Sequence, residues 1–266
     1  GDLIAEASFR NGYICFSTPE AFKEGNAVIA AKDQSGTILW SWHIWATEKP
    51  KDYLSYDGYS TIDRNIGAIS ANYAEEEATY GLYFQWGRKD PFMGRCVTSG
   101  NTLAASTGNW DIAPSSNATD FTEENPMTFA TDWYGGNVPE YGWRTSYYNK
   151  GLYDPCPTGY CIPDGGSDGF WAKAIIKATG SYSNGMYWEI ADGTTAWYPI
   201  TGYRYFNNGA LAIADQENDY WSATPRNDYN QYSYVYHFRV TGSGADVRFT
   251  DMPQRGFGHP VRCIRE

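Results

Sequence analysis

Residues 231–251 read QYSYVYHFRVTGSGADVRFTD, and Tyr232, Tyr234, Tyr236, His237 and Phe238 crowd five aromatic rings into seven positions. In an extended strand, alternate side chains face opposite sides. One row is then Tyr232, Tyr234, Tyr236, Phe238 and Val240, aromatic or apolar throughout. The other is Ser233, Val235, His237, Arg239 and Thr241. The TGSG turn closes a hairpin onto ADVRFT. It sets Val240 against Ala245, Arg239 against Asp246, Phe238 against Val247, His237 against Arg248 and Tyr236 against Phe249. In that register the apolar rows of both strands share a face, so the tyrosines are expected in the core. The opposite face then presents Val235, His237, Arg239, Asp246, Arg248 and Thr250. A slip of one residue would exchange the two faces. The plain reading of the polar face is a solvated surface, with Arg239 and Asp246 as a cross-strand pair contributing about 0.2–1 kcal/mol.

The composition around this stretch suits strands and turns. Among 266 residues there are 23 Tyr, 11 Trp and 28 Gly, and few of the Ala/Leu/Glu/Lys runs that build helices. A net charge of −11 argues against nucleic acid or an anionic membrane as partner, since both call for a positive surface. No run of eighteen apolar residues occurs, so no membrane insertion is expected. No signal-peptide pattern is read, and the abrupt start at Gly1 leaves targeting open. The five cysteines, at 15, 96, 156, 161 and 263, lack zinc-type spacing. They fit either one disulfide with leftover buried thiols or a fully reduced protein.

Upstream, GYICFST, GNAVIAAKD and TILWSWHIWAT read as three strands over residues 12–46, followed by a polar, Tyr-rich connection. A soft domain boundary is placed there, dividing residues 1–48 from 49–266. NYAEEEATYG suggests a short helix, and residues 97–150 read as loops and small hairpins over a core. GFWAKAIIKATG is the best helix candidate, with Trp171, Ile175 and Ile176 on one face and Gly180 ending it. From residue 186 the pattern is strand and turn again: MYWEIA, TAWYPI, GALAIA, DYWSAT, YSYVYHFRV, ADVRFT and PVRCIRE.

Chemistry-bearing motifs are absent. His43, His237 and His259 lie far apart, and His43 reads as an interstrand polar residue. There is no zincin helix, phosphate loop or nucleophile elbow, and no two carboxylates stand out as a glycosidase pair. No cofactor and no metal are expected. DGGSDG, with Asp164 and Asp168, could offer oxygens to calcium, but it lacks the EF-hand spacing and reads as a surface turn.

Several blocks carry a resemblance in motif order: IDRNIGA (62–68), YGLYFQWGRKDPF (80–92), NKGLYDPCPTGYCIPD (149–164), GFW (169–171), DYWSAT (219–224) and GHPVRCIRE (258–266). Together they resemble the FISUMP, or major paralogous, domain of bacterial surface proteins over most of residues 50–266. That resemblance implies a C-type-lectin-like fold, related to the formylglycine-generating enzymes without their catalytic cysteines. Residues 12–46 resemble the last strands of the β-sandwich that precedes this domain in fimbrillin-type proteins. An exported lipoprotein or pilus subunit, a cell-surface location and a Cys156–Cys263 disulfide are implied with it. Tyr160 and Cys161 depart from the family pattern. Residues 203–259 also resemble the variable regions of retroelement-diversified lectin-like proteins. There the rings at 234 and 238 and the hydrophobe at 236 are scaffold, while positions 235, 237, 239, 248, 250 and 251 are free to change. Those are the same two rows that strand alternation gives.

The expected fold is therefore a β-rich α+β, C-type-lectin-like domain (49–266), preceded by the C-terminal strands of a fimbrillin-like sandwich (1–48). The expected function is a non-enzymatic adhesin or pilus-tip module that binds a protein or glycan on another cell or host surface. Tyr205, Asn207, Gln216, Asn218, Val235, His237, Arg239, Arg248, Thr250 and Asp251 form its ligand-binding set. A calcium-dependent carbohydrate-binding module, a structural stalk subunit that contacts other pilus subunits, and an enzyme of the formylglycine-generating type, which needs a reactive cysteine pair in a cleft, are the alternatives.

Overall fold

The computed structural model describes residues 3–55, 58–95, 97–98, 101–102, 109–112, 118–131, 133, 142–145, 149–174, 178–182, 184–189, 191–212, 217–225, 233–241, 244–251 and 253–266. For the strands within 97–112, 178–182 and 233–250 it gives the backbone course, together with the side chain of Arg248. Among the described residues the chain is β-rich, built from small and mostly antiparallel sheets with three short helices, Glu76–Tyr80, Ala118–Glu124 and Phe170–Ala174. Among the described residues no helix is long and apolar enough to cross a membrane.

Two hairpins begin the chain. Strands Glu6–Arg10 and Tyr13–Ser17 pair through Asn11 and Gly12, whose φ values of 53° and 84° match a type I′ turn. The strand Glu6–Arg10 has no counterpart in the sequence reading. Strands Gly25–Lys32 and Ile38–Ala46 form the second hairpin, its turn held by Asp33, whose carboxylate accepts the amides of Ser35 and Thr37 at 2.9 Å. This hairpin is fastened to residues beyond position 48. Ser41 donates to the Asp90 carboxylate at 2.5 Å, the Trp45 indole to the Ala68 carbonyl, and the Asn26 amide to the Gly67 carbonyl.

The carboxy-terminal segment runs through the middle of the body. Gly258–Pro260 lies between Tyr203–Arg204 and Tyr83–Gln85 in one four-stranded sheet. Ile264–Arg265 lies between Tyr160–Cys161 and Ser60–Ile62 in another. A third sheet holds Ala178–Tyr182, Gly185–Glu189 and Thr195–Pro199 in chain order. Gly185 is required there, because a Cβ would sit 2.4 Å from the Trp197 ring. The helix expected over 169–180 is corrected: it spans Phe170–Ala174, and Gly180 instead pairs with Tyr187. A neighbouring strand offers the Gly180–Tyr182 backbone a ladder of hydrogen bonds, and this outweighs weak helix propensity.

Burial explains the aromatic composition. One apolar cluster gathers Phe170, Trp171, Trp188, Tyr198 and Tyr220; another gathers Phe84, Trp86, Trp143, Trp221 and Val261. A buried indole N–H must find an acceptor. Trp86 donates to the Ser222 carbonyl, Trp221 to Phe84, Trp133 to Trp86 and Trp143 to Arg88. Each ring therefore packs one segment and hydrogen-bonds another.

Cys156 and Cys263 form a disulfide across a sequence separation of 107. Cys161 is a buried thiol and Cys15 an exposed one; Cys96 lies outside the described residues. Cross-linking so long a loop restricts the unfolded chain strongly. Cys156→Ala with Cys263→Ala is expected to cost about 4 kcal/mol in urea unfolding.

His43 bonds Asn26 at 2.9 Å, and burial pushes its imidazole down to about 4. Between there and about 6.5 the unfolded chain holds a proton that the folded chain refuses. This contribution is thus fully present above the unfolded value and is lost as pH falls toward 4. His43→Gln is expected to narrow the gap between urea midpoints measured at pH 7 and pH 4.5.

Candidate surface site at the carboxy-terminal sheet

The sheet that carries the opening stretch has Glu217–Pro225 at one edge, Ser233–Thr241 in the middle and Gly244–Asp251 outermost. The hairpin pairs Val240 with Ala245, Arg239 with Asp246, Phe238 with Val247 and His237 with Arg248. Beyond that pair the sequence-derived register is corrected. A bulge follows, and Val235 pairs with Asp251, so Tyr236 is not set against Phe249. An extra residue in one strand bends it and sharpens the local twist. The side chains of Tyr234, Val235, Tyr236, His237, Phe238, Arg239, Val240, Asp246 and Thr250 lie outside the described residues, as do Tyr232 and Gln216 altogether.

Glu217–Pro225 anchors this sheet. Tyr220 belongs to one apolar cluster and Trp221 to the other, and both are fully buried, so this strand is covered on both faces. Register brings Tyr236 opposite Tyr220, Phe238 opposite Asn218, His237 opposite Asp219 and Arg239 opposite Glu217. One rung is thereby Glu217, Arg239 and Asp246, alternating in charge, and two rungs on come Asp219, His237 and Arg248. Opposite charges directly across a ladder stabilise it. Arg248 is exposed and forms an ion pair with Asp251 at 3.2 Å.

An aromatic group lies beside this sheet. Arg204 pairs with Gly258, which brings the YRYF block against GFGH. The Phe257 ring centroid lies 5.2 Å from Tyr203, 5.4 Å from Tyr205 and 5.1 Å from Phe206. Phe257 also stacks on His259 with an interplanar angle of 22°, and His259 meets Trp221 edge-on at 4.6 Å. His259 Nδ1 is 3.9 Å from the Asp219 carboxylate. Burial first, then the nearby charges of Glu217 and Asp219, holds the Tyr203 phenol above its ordinary value. Tyr205 is 37 % exposed, Phe206 and Phe257 are half-buried, and Asn207 is exposed. Gly209, with φ of 66°, turns the 203–212 loop back, its amide bonding the Tyr205 carbonyl.

Of the sequence-derived set, Tyr205 and Asn207 lie at this group, whereas Arg248 and Asp251 form their ion pair on the outermost strand of the sheet. Asn218 is corrected. It is fully buried, donating to the Pro199 carbonyl at 3.0 Å and accepting from the Thr201 hydroxyl at 2.7 Å. A polar residue on a strand covered on both sides has to be satisfied internally, which makes it scaffold. Tyr203, Phe206, Phe257 and Asp219 are members that sequence reasoning missed. Repeated rings in YRYF and GFGH were the available signal, but only the pairing of residues 204 and 258 joins the two blocks.

Ser41, Lys89 and Asp90 form a hydrogen-bonded group, but Ser41 is 1 % exposed and sealed from any substrate. Asp164 pairs with Arg144 at 3.2 Å. Among the described residues no three His, Cys, Asp or Glu side chains are grouped to hold a metal. The chain matches no family model, no curated protein and no solved structure.

The two kinds of residue separate experimentally. Asn218→Ala is expected to cost about 1–3 kcal/mol in chemical unfolding, because it strands buried partners. Tyr205→Ala, at the exposed margin of the aromatic group, is expected to cost less than about 1 kcal/mol.

Proposed function

We propose that this chain is a non-enzymatic recognition module of a bacterial surface or pilus tip. Its domain is of the FISUMP, C-type-lectin-like kind, and residues 1–48 are the end of a fimbrillin-like sandwich. The ligand is a protein or glycan, met by the outward face of the carboxy-terminal sheet and the loops beside it. The observation that carries this reading is the half-exposed aromatic group of Tyr203, Tyr205, Phe206 and Phe257 on a strand framework, with Asn207 exposed in the same loop and the exposed Arg248 paired with Asp251 on the outermost strand of the adjoining sheet.

Rings of this kind offer large contact area at little cost in side-chain entropy, and polar neighbours supply direction. Strands beneath the surface keep the ordering cost of binding low. The sheet edge can also tolerate exchange at 235, 237, 239, 248, 250 and 251 while Glu217–Pro225 stays fixed, as in retroelement-diversified proteins. A disulfide between Cys156 and Cys263 fits an oxidising, extracellular setting.

Adhesion of cells displaying the protein tests the reading, with the combined variant His237→Ala, Arg239→Ala and Arg248→Ala. A loss of tenfold or more is expected, of the size that interface hot spots give, with the urea midpoint little changed. Unchanged adhesion would favour a shaft subunit. Loss of adhesion on chelation alone, with this variant still binding, would favour calcium-dependent recognition.

A further inference from the structure

The turn that carries Tyr205 is held in one shape. The Tyr205 amide donates to the Ala210 carbonyl and the Gly209 amide to the Tyr205 carbonyl, both at 2.8 Å, and the Asn208 side chain accepts the Ala210 amide at 2.9 Å. Gly209 sits against the buried Phe129 ring, where a Cβ would come within 3.2 Å, and its carbonyl accepts from Arg204 at 2.6 Å. On this turn Tyr205, Asn207 and Asn208 are exposed. The Tyr205 ring is braced by Phe206, tilted at 4.9 Å, and by Phe257 at 5.4 Å and a right angle. Among the described residues the Asn207 side chain makes no hydrogen bond, and the Asn208 side-chain NH2 donates none.

We propose that this turn binds a neutral pyranose residue of a glycan, its C–H face stacked on the Tyr205 ring and its hydroxyls bonded by the amides of Asn207 and Asn208. The assignment rests on the recognition-module reading and gives that module its ligand class. A pyranose carries an apolar face that packs on an aromatic ring, and a rim of hydroxyls that both donate and accept. A side-chain amide also does both, which suits neighbouring hydroxyls better than a carboxylate or an ammonium does. The surrounding charge disfavours an acidic sugar. Glu217 and Asp219 lie close to Tyr203, and the chain carries a net charge of −11. Arg204 is buried and gives its guanidinium to the carbonyls of Met93 and Gly209. A protein partner ordinarily covers about 800 Å² on each side, whereas one exposed ring and two amides match a single sugar ring. A turn already fixed by its own hydrogen bonds loses little entropy on binding.

Saturation-transfer NMR of the full chain with mannotetraose, chitotetraose and N-acetyllactosamine at millimolar concentration tests this, with tetragalacturonate as the acidic control. Ring C–H protons of at least one neutral sugar should receive saturation, and those of the control should not. Tyr205→Ala should weaken binding about tenfold while Tyr205→Phe keeps it. Asn207→Ala should weaken it about fivefold, and a chelator should change nothing. Silence from all three neutral sugars would overturn the proposal. So would a signal that survives Tyr205→Ala, or one that the chelator removes. Adhesion of displaying cells separates the two levels of the argument. If the sugars fail while Tyr205→Ala still abolishes adhesion, the partner is a protein and only the ligand class falls. If neither Tyr205→Ala nor the triple variant at 237, 239 and 248 affects adhesion, the recognition reading falls with it.

Discussion

The guanidinium of Arg262 is 1 % exposed, and the rest of the body is arranged around it. Burying a charge is costly unless its hydrogen bonds are met inside. Here Nε donates to the Asn65 side chain at 3.0 Å and Nη2 to the Trp197 carbonyl at 2.8 Å, while Nη1 has no hydrogen-bond partner among the described residues. The guanidinium carbon lies 4.2 Å from the Tyr198 ring centroid and 6.0 Å from that of Tyr220. Rings give a desolvated cation an attractive face. Asn65 in turn donates to the Tyr80 carbonyl and the Tyr220 hydroxyl. One side chain therefore ties together the 62–68 block, the 195–199 strand, the central 217–225 strand and the carboxy terminus.

Neighbouring contacts reinforce that node. Ile62 and Ile66 donate to the carbonyls of Cys263 and Val261, and the Cys156–Cys263 bridge fixes the same segment to the 154–162 loop. Within that loop Asp154 is buried and accepts from the amides of Cys156 and Ile162 and from Lys150. Burial holds its carboxyl above the usual carboxylate range. The outer strands 233–241 and 244–251 hang from this frame through one edge of Glu217–Pro225. The buried residues of Glu217–Pro225 thus join the frame, and the two strands beyond it are attached by backbone pairing along one edge.

Much of this was legible in the sequence, for identifiable reasons. TGSG sits between strand-like runs, and local turn chemistry decides that hairpin; Asn11-Gly12 carries the same kind of signal, but the strand Glu6–Arg10 before it was missed. The hairpin register follows from apolar alternation as far as His237 and Arg248, then departs at a bulge. A bulge answers to twist and neighbouring strands, which one strand's alternation does not encode. Asn218 looks like an outward polar residue by alternation, because nothing local shows that its strand is covered on both faces. The ATG of residues 178–180 is strand where a helix is expected for a related reason: its fate depends on the distant GMYWE strand, while Ile175 and Ile176 lie outside the described residues. Arg262 stood out in the sequence only as one letter of a recognisable block. Its burial depends on four segments separated by up to two hundred residues.

If Arg262 joins these segments into one cooperative frame, they should open together. Native-state hydrogen exchange over a urea series measures this directly. The account predicts that the most protected amides of 60–66, 217–225 and 258–264 merge at a single free energy equal to that of global unfolding. Exchange of 217–225 through a separate and cheaper opening, with 258–264 still protected, would contradict it.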